Sequence, residues 1–265
     1  MPHSKRSPGR SRWYAFPLGG RTQRCGLGYA FWRHTWLVLP ILAGCSTVPL
    51  STALPDSTSS EALSAWAPYT LPGKRSTHYT RDAVGLRAEA DSSASLYRRA
   101  VRVEPAELGR VEFSWLVPAL IAGADLTLRD TEDAPVRVML AFDGDHATLS
   151  ARARRQFELA EALTGESPPY ATLMYVWDNK AQLESVIPGG RSDRIRKIVV
   201  DSGPGHLGQW RQHLRQIADD YRHAFGEDPG PLIGVALMTD SDATRSAVTV
   251  WYGEVRLVAA DGSRR

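Results

Sequence analysis

Apolar and polar residues trade places one by one through two stretches of this chain. Val111, Phe113, Trp115 and Val117 are interleaved with Glu112, Ser114 and Leu116, and Pro118 closes the run. Val136, Val138, Leu140 and Phe142 are interleaved with Arg137, Met139 and Ala141. A period of two predicts strands with one buried face. Tyr170–Trp177 is apolar or aromatic almost throughout, which predicts a central strand covered on both faces. Shorter strands are predicted at 75–79, 84–90, 93–103, 195–200, 232–238 and 247–258, separated by clusters such as Pro188-Gly189-Gly190 and Asp228-Pro229-Gly230-Pro231.

Two segments change period. Residues 150–164 place Ala153, Phe157, Ala160 and Leu163 on one helical face, with Gly165 as a C-cap. Residues 208–225 place Trp210, Leu214, Ile217, Tyr221 and Ala224 in one stripe, followed by Gly226. About nine strands with two helices, in no regular alternation, predict a mainly β fold. It is a jelly-roll-like antiparallel β-sandwich with two inserted α-helices.

Charge divides the chain in a different place. Residues 1–34 carry Lys5, Arg6, Arg10, Arg12, Arg21, Arg24 and Arg33 and no acid. From Cys45 onward 25 basic residues face 29 acidic ones, so the net charge of +3 belongs to the leader. The folded part has no electrostatic reason to seek nucleic acid. Between leader and fold lies an uncharged run of about ten residues, Thr35–Gly44, half of what a membrane-spanning helix needs. A basic segment, a short apolar run and then small residues make a secretory signal.

Leu42-Ala43-Gly44-Cys45 resembles the lipobox of bacterial lipoproteins. The resemblance implies cleavage before Cys45 and acylation of that residue, with membrane lipid as its partner. The basic head is longer than usual, so translation is expected to begin downstream, near Leu27. Ser46 stands where an aspartate would retain a lipoprotein in the inner membrane. The implied place is therefore the cell envelope, on the outer membrane facing the periplasm. Cys25 leaves with the leader, so the mature chain keeps no thiol for a disulfide. The expected organisation is a signal with lipobox over 1–44, a Ser/Thr/Pro-rich tether over 45–65 and one sandwich domain over 66–260.

Candidate chemistry is sparse. Gly203-Pro204-Gly205-His206-Leu207-Gly208 has the spacing of a dinucleotide loop, but Pro204 lacks a donor and no acid ends a second strand about 20 residues later. Asp240 and Asp242 offer alternate oxygens to a structural calcium ion, although Arg245 breaks the EF-hand pattern. No other cofactor is expected. Asp133 sits in an acidic loop with Asp125, Asp130 and Glu132. Asp178 follows Trp177 at a strand end, beside Tyr175, and Trp251 lies in the last long strand. Flat aromatics beside carboxylates and arginine suit sugar rings and hydroxyls. Arg137, between Val136 and Val138, needs a carboxylate partner if buried, with Glu112 or Asp133 as candidates.

Five stretches together resemble the bacterial domain-of-unknown-function family 3047 over about residues 66–258. They are Leu71–Arg75, Ala90–Ser95, Glu132–Arg137, Pro169–Trp177 and Met238–Asp242. That family brings no activity with it. The run into Thr239-Asp240-Ser241-Asp242 and the later Tyr252-Gly253-Glu254-Val255 are also similar to the end of jelly-roll carbohydrate-binding domains. The expected function is non-catalytic binding of a glycan or other envelope ligand through Asp133, Arg137, Tyr175, Trp177, Asp178 and Trp251. The alternatives are a carboxylate-based glycan-active enzyme and a protein-binding envelope scaffold.

Overall fold

The computed structural model describes residues 65–190 and 192–263. The expected leader, the expected lipobox with Cys45 and the expected tether up to residue 64 lie outside the described residues. The chain runs β1 (Ala67–Thr70), β2 (His78–Arg81), β3 (Leu86–Asp91), β4 (Ala94–Val103), β5 (Arg110–Leu116), β6 (Ala134–Phe142), α1 (Ala151–Thr164) and β7 (Ala171–Asp178). It continues β8 (Val186–Pro188), β9 (Ile195–Ser202), β10 (Trp210–Gln216), α2 (Ile217–Phe225), β11 (Leu232–Asp240), β12 (Ala247–Tyr252) and β13 (Arg256–Val258).

Every position of β7 is buried, as its unbroken apolar run predicts, because both of its faces are covered. Ala171, Leu173, Tyr175 and Trp177 point between two sheets, with Val136, Val138, Leu140 and Phe142 of β6 beside them. Val111, Phe113 and Trp115 of β5 and Val248, Val250 and Tyr252 of β12 meet them from the other sheet. Phe113 stacks on Tyr175 at 5.4 Å between ring centroids. Met174 and Val176 point the other way, under the loop before β6, in a small second cluster with Leu126, Ala134 and Val199.

The seven-stranded sheet has the order β1-β4-β11-β6-β7-β9-β8, and the six-stranded sheet β10-β5-β12-β3-β2 with β13 also on β5. The chain passes repeatedly between the sheets, so this is the mainly β, jelly-roll-like sandwich with two helices that the sequence predicts. One pair departs from the antiparallel rule: β7 and β9 run parallel.

The helix expected over 208–225 is only half a helix. Residues 210–216 form β10, paired along its whole length with β5. Its outward residues include Trp210 and Leu214, which are exposed, so of the expected stripe only Ile217, Tyr221 and Ala224 lie buried on a helix. Its inward residues are Arg211, His213 and Arg215. Arg211 and His213 reach Asp201, and Arg215 grips Asp220 of α2. Charge on the inward face hid the period of two. The glycine-rich hexapeptide before β10 links one sheet to the other and leads into a strand, not a helix. Helix α1 begins at Ser150, whose side chain accepts from the Ala153 amide, and ends at Gly165 with φ +73°. It buries Ala153 and Phe157, whereas Leu163 stays 65% exposed.

Candidate functional site

The outer face of the seven-stranded sheet is where ionised groups collect. A long loop from Val117 to Asp133 folds back over this face and is pinned by side chains beneath it. Asp178 accepts from the amides of Leu126, Lys180 and Ala181. Asn179 donates to the carbonyls of Ile121 and Ala124 at 2.7 and 3.0 Å. Lys197, wholly buried in β9, donates to Leu126 O and pairs with Glu132 at 2.8 Å. Burial lowers the Lys197 pKa from its usual value, against the pull of Glu132.

Beside this loop, Arg137 and Asp240 form a bidentate pair. Arg137 Nε lies 2.9 Å from Asp240 Oδ1 and Nη2 lies 2.8 Å from Oδ2. The two side chains are 3% and 7% exposed. A register shift where β11 passes Pro135 sets up the meeting. Proline has no amide to give the ladder and is tolerated at such an irregularity. The Ala134 amide donates to Asp240 Oδ1, and Tyr252 crosses from the other sheet to donate to Met238 O and accept from the Arg137 amide. Burial pushes the Asp240 carboxyl up to about 6, against the pull of Arg137, and the nearby Asp133 adds to the push.

Asp133 holds the turn after β11, accepting from the amides of Ala243 and Thr244 and from the Thr244 hydroxyl. Asp242 pairs with Lys74. Between these groups is a cleft of about 160 Å³, with Met174, Met238 and Ile195 as its apolar side. The floor continues along the sheet. Met238 faces Leu96 across β4, and Met139 faces Met174 and Ala236 on its two neighbours. Leu96, Met139, Ala141 and Ala236 line a trough of about 500 Å³, walled by α1 on one side. At its rim Arg98 holds Glu166 through two bonds of 2.9 Å.

The family described as "Protein of unknown function (DUF3047)" matches residues 64–256. The chain belongs to that family. No curated protein matches it. Among solved structures it is similar to the xyloglucanase domain of NopAA, a type three effector from Sinorhizobium fredii, in complex with cellobiose. Identity there is 7% over 73% of this chain and 92% of that one, with a TM-score of 0.42. It is also similar to the family 11 xylanase from Neocallimastix patriciarum, at 8% identity over 74% of this chain and all of that one, with a TM-score of 0.35. In this DUF3047 chain all five stretches that carry the family resemblance send a residue to the small cleft. These are Lys74, Ala94, Asp133 with Arg137, Met174, and Asp240 with Asp242.

The candidate residues read from the sequence therefore separate. Asp133, Arg137, Asp240 and Asp242 come together. The carboxylate partner of Arg137 is Asp240, not Glu112 or Asp133. Glu112 is held by Arg110 on the other sheet, and Asp133 is spent on backbone amides. Tyr175 and Trp177 are wholly buried in the core and present no surface to a ligand. Their polar ends are also used, by Asp220 and by the carbonyl of Gly203. Asp178 anchors the loop from within. Trp251 lies on the outer face of the six-stranded sheet, where its Nε1 donates to Asp82.

A calcium ion does not fit the acidic group. Carboxylate oxygens of Asp133, Asp240 and Asp242 lie within 4.8 Å of one another. However, Arg137 and Lys74 already supply positive charge there, and calcium requires six to eight oxygens whose lone pairs are available. Sequence reasoning missed Lys197, Lys74 and the methionine floor. The one signal for Lys197 was a lysine inside the strand that ends Ile198-Val199-Val200.

Proposed function

We propose that this protein is a lipid-anchored, non-catalytic glycan-binding protein of the cell envelope, and that the glycan lies along the outer face of the seven-stranded sheet. The carrying observation is the form of that face. An open apolar floor of Leu96, Met139, Met174 and Met238 runs between the Arg98–Glu166 pair and the Lys74–Asp242 pair. Pyranose rings have apolar C–H faces and polar rims, so such a floor with charged borders suits them. Replacing Met139 with arginine would fill the trough. Binding to isolated envelope polysaccharide is expected to fall at least tenfold, about 1.4 kcal/mol, by calorimetry with the circular dichroism unchanged. Unaltered affinity would remove the face from consideration.

One feature favours the alternative of a carboxylate-based enzyme: burial pushes the Asp240 carboxyl up to about 6, in the range of a general acid. Both of its oxygens are nevertheless committed to Arg137, and a glycosidase needs two free carboxyl groups facing each other across a sugar. Release of reducing sugar by the intact protein would favour the enzyme. Capture of another envelope protein through the same floor, with no affinity for polysaccharide, would favour the scaffold.

Placement at the membrane rests on the lipobox. Among the described residues no helix is long and apolar enough to cross a bilayer. Acylation of Cys45 would anchor the chain on the periplasmic side of the outer membrane. The Cys45→Ala chain is expected to leave the membrane fraction and keep its leader, as read by fractionation and intact mass. Identical fractionation and mass to wild type would overturn the anchor.

A further inference from the structure

A second cavity, of about 680 Å³, opens at the mouth between the two sheets and owes nothing to the outer face. Trp66 and Tyr97 stand in one wall, stacked at 5.7 Å with their planes 8° apart. Its charged lining is three arginines, Arg81, Arg99 and Arg256, against one acid, Glu254. Glu254 is already held by Arg256. Arg99, on β4, is different. Its Nε and Nη2 are shut away from solvent and meet no hydrogen-bond acceptor. The guanidinium carbon lies 5.6 Å from the centre of the Trp66 ring, and burial pulls the Arg99 pKa down from its usual value.

The same two nitrogens are occupied together in two other arginines of the chain. In Arg137 they hold the two oxygens of Asp240, and in Arg215 those of Asp220. This edge of a guanidinium matches a planar carboxylate through two parallel bonds. Leaving it desolvated and unpaired is unfavourable.

We propose that the mouth between the sheets binds a carboxylate-bearing small molecule, its carboxylate paired with the Arg99 guanidinium and its body against Trp66 and Tyr97. Arg99 lines the cavity together with Trp66 and Tyr97. The site goes beyond the glycan reading and does not depend on it. A carboxylate on an apolar or ring-shaped body comes from two sources, a sugar acid or an aliphatic acid.

Thermal melting of the full chain with glucuronate, laurate, and the uncharged counterparts glucose and dodecanol tests the site. One acid is expected to raise the melting temperature by roughly 2–4 °C, and its uncharged counterpart by nothing. A shift with glucuronate assigns a sugar acid, and a shift with laurate an aliphatic one. Arg99→Met is expected to abolish the shift without lowering the melting temperature of the free protein, because it removes a cation that burial disfavours. Arg99→Lys keeps the charge but loses the fork, and is expected to abolish the shift as well, which covers the case in which the methionine variant does not fold. No shift with either acid, or a shift that survives both substitutions, overturns the proposal. Met139→Arg, on the outer face, is expected to leave the shift intact, so the two sites fail separately.

Discussion

Arg137→Met is expected to destabilise the fold by about 3–5 kcal/mol near pH 8, measured by denaturant titration. The loss comes less from the missing bonds than from what stays behind. Asp240 would remain buried as an uncompensated carboxylate, with Asp133 and Asp242 oxygens within 4.8 Å. Arg137→Met combined with Asp240→Leu is expected to recover most of the loss, because both charges then leave the interior together. The pH dependence follows from the raised Asp240 pKa. A carboxyl that titrates near 6 in the fold, against a usual 3.8, holds its proton more tightly folded than unfolded. Its favourable contribution is full below the unfolded value and is lost as pH rises through about 6. Without Arg137 the carboxyl is pushed higher still, so the deficit of the single variant is larger near pH 8 than near pH 5. Equal losses for single and double variants, or a deficit independent of pH, would show that the pair does not act as described.

The contrast between what the sequence disclosed and what it concealed has a physical pattern. Strands β5, β6 and β7 were legible because their inward positions are apolar, so the period or the continuous run shows directly. Strand β10 was not, because its inward positions carry Arg211, His213 and Arg215, which satisfy one another's needs through Asp201 and Asp220 instead of through apolar contact. Arg137 stood out as a charge between two valines, yet its partner lies 103 residues away and becomes its neighbour only when β6 pairs with β11. Trp177 was misplaced for a subtler reason. It shares its strand face with Leu173 and Tyr175, but both faces of β7 are apolar, so alternation could not tell inside from outside. The five family stretches marked the cleft in the sequence without revealing that they would meet there. Their meeting depends on β4, β6, β7 and β11 being laid side by side, an order that crosses the chain's own sequence.

The other large effect is expected at Asp201, where the two sheets are tied together at one edge. This carboxylate is 2% exposed on β9. It accepts from Trp115 Nε1 at 2.8 Å and Arg211 Nε at 2.9 Å, and His213 Nε2 lies 2.8 Å from the same group. Three donors from β5 and β10 thus end on one side chain of the opposite sheet. Asp201→Ala would strand all three at once, with an expected cost of about 4–5 kcal/mol. Asp201→Asn keeps one acceptor oxygen and is expected to lose about half as much. Burial would raise the Asp201 pKa, but its bonds to His213, Trp115 and Arg211 outweigh this and hold it below the usual 3.8. A depressed carboxyl stabilises above the unfolded value and loses that contribution as pH falls through its own. The Asp201→Asn deficit should therefore narrow in strong acid, the opposite direction to Asp240. Because β10 is an edge strand, its amides should exchange first in the variant, ahead of those in β6 and β7. If Asp201→Ala costs no more than about 0.5 kcal/mol, or leaves exchange in β10 unchanged, the tie between the sheets lies elsewhere.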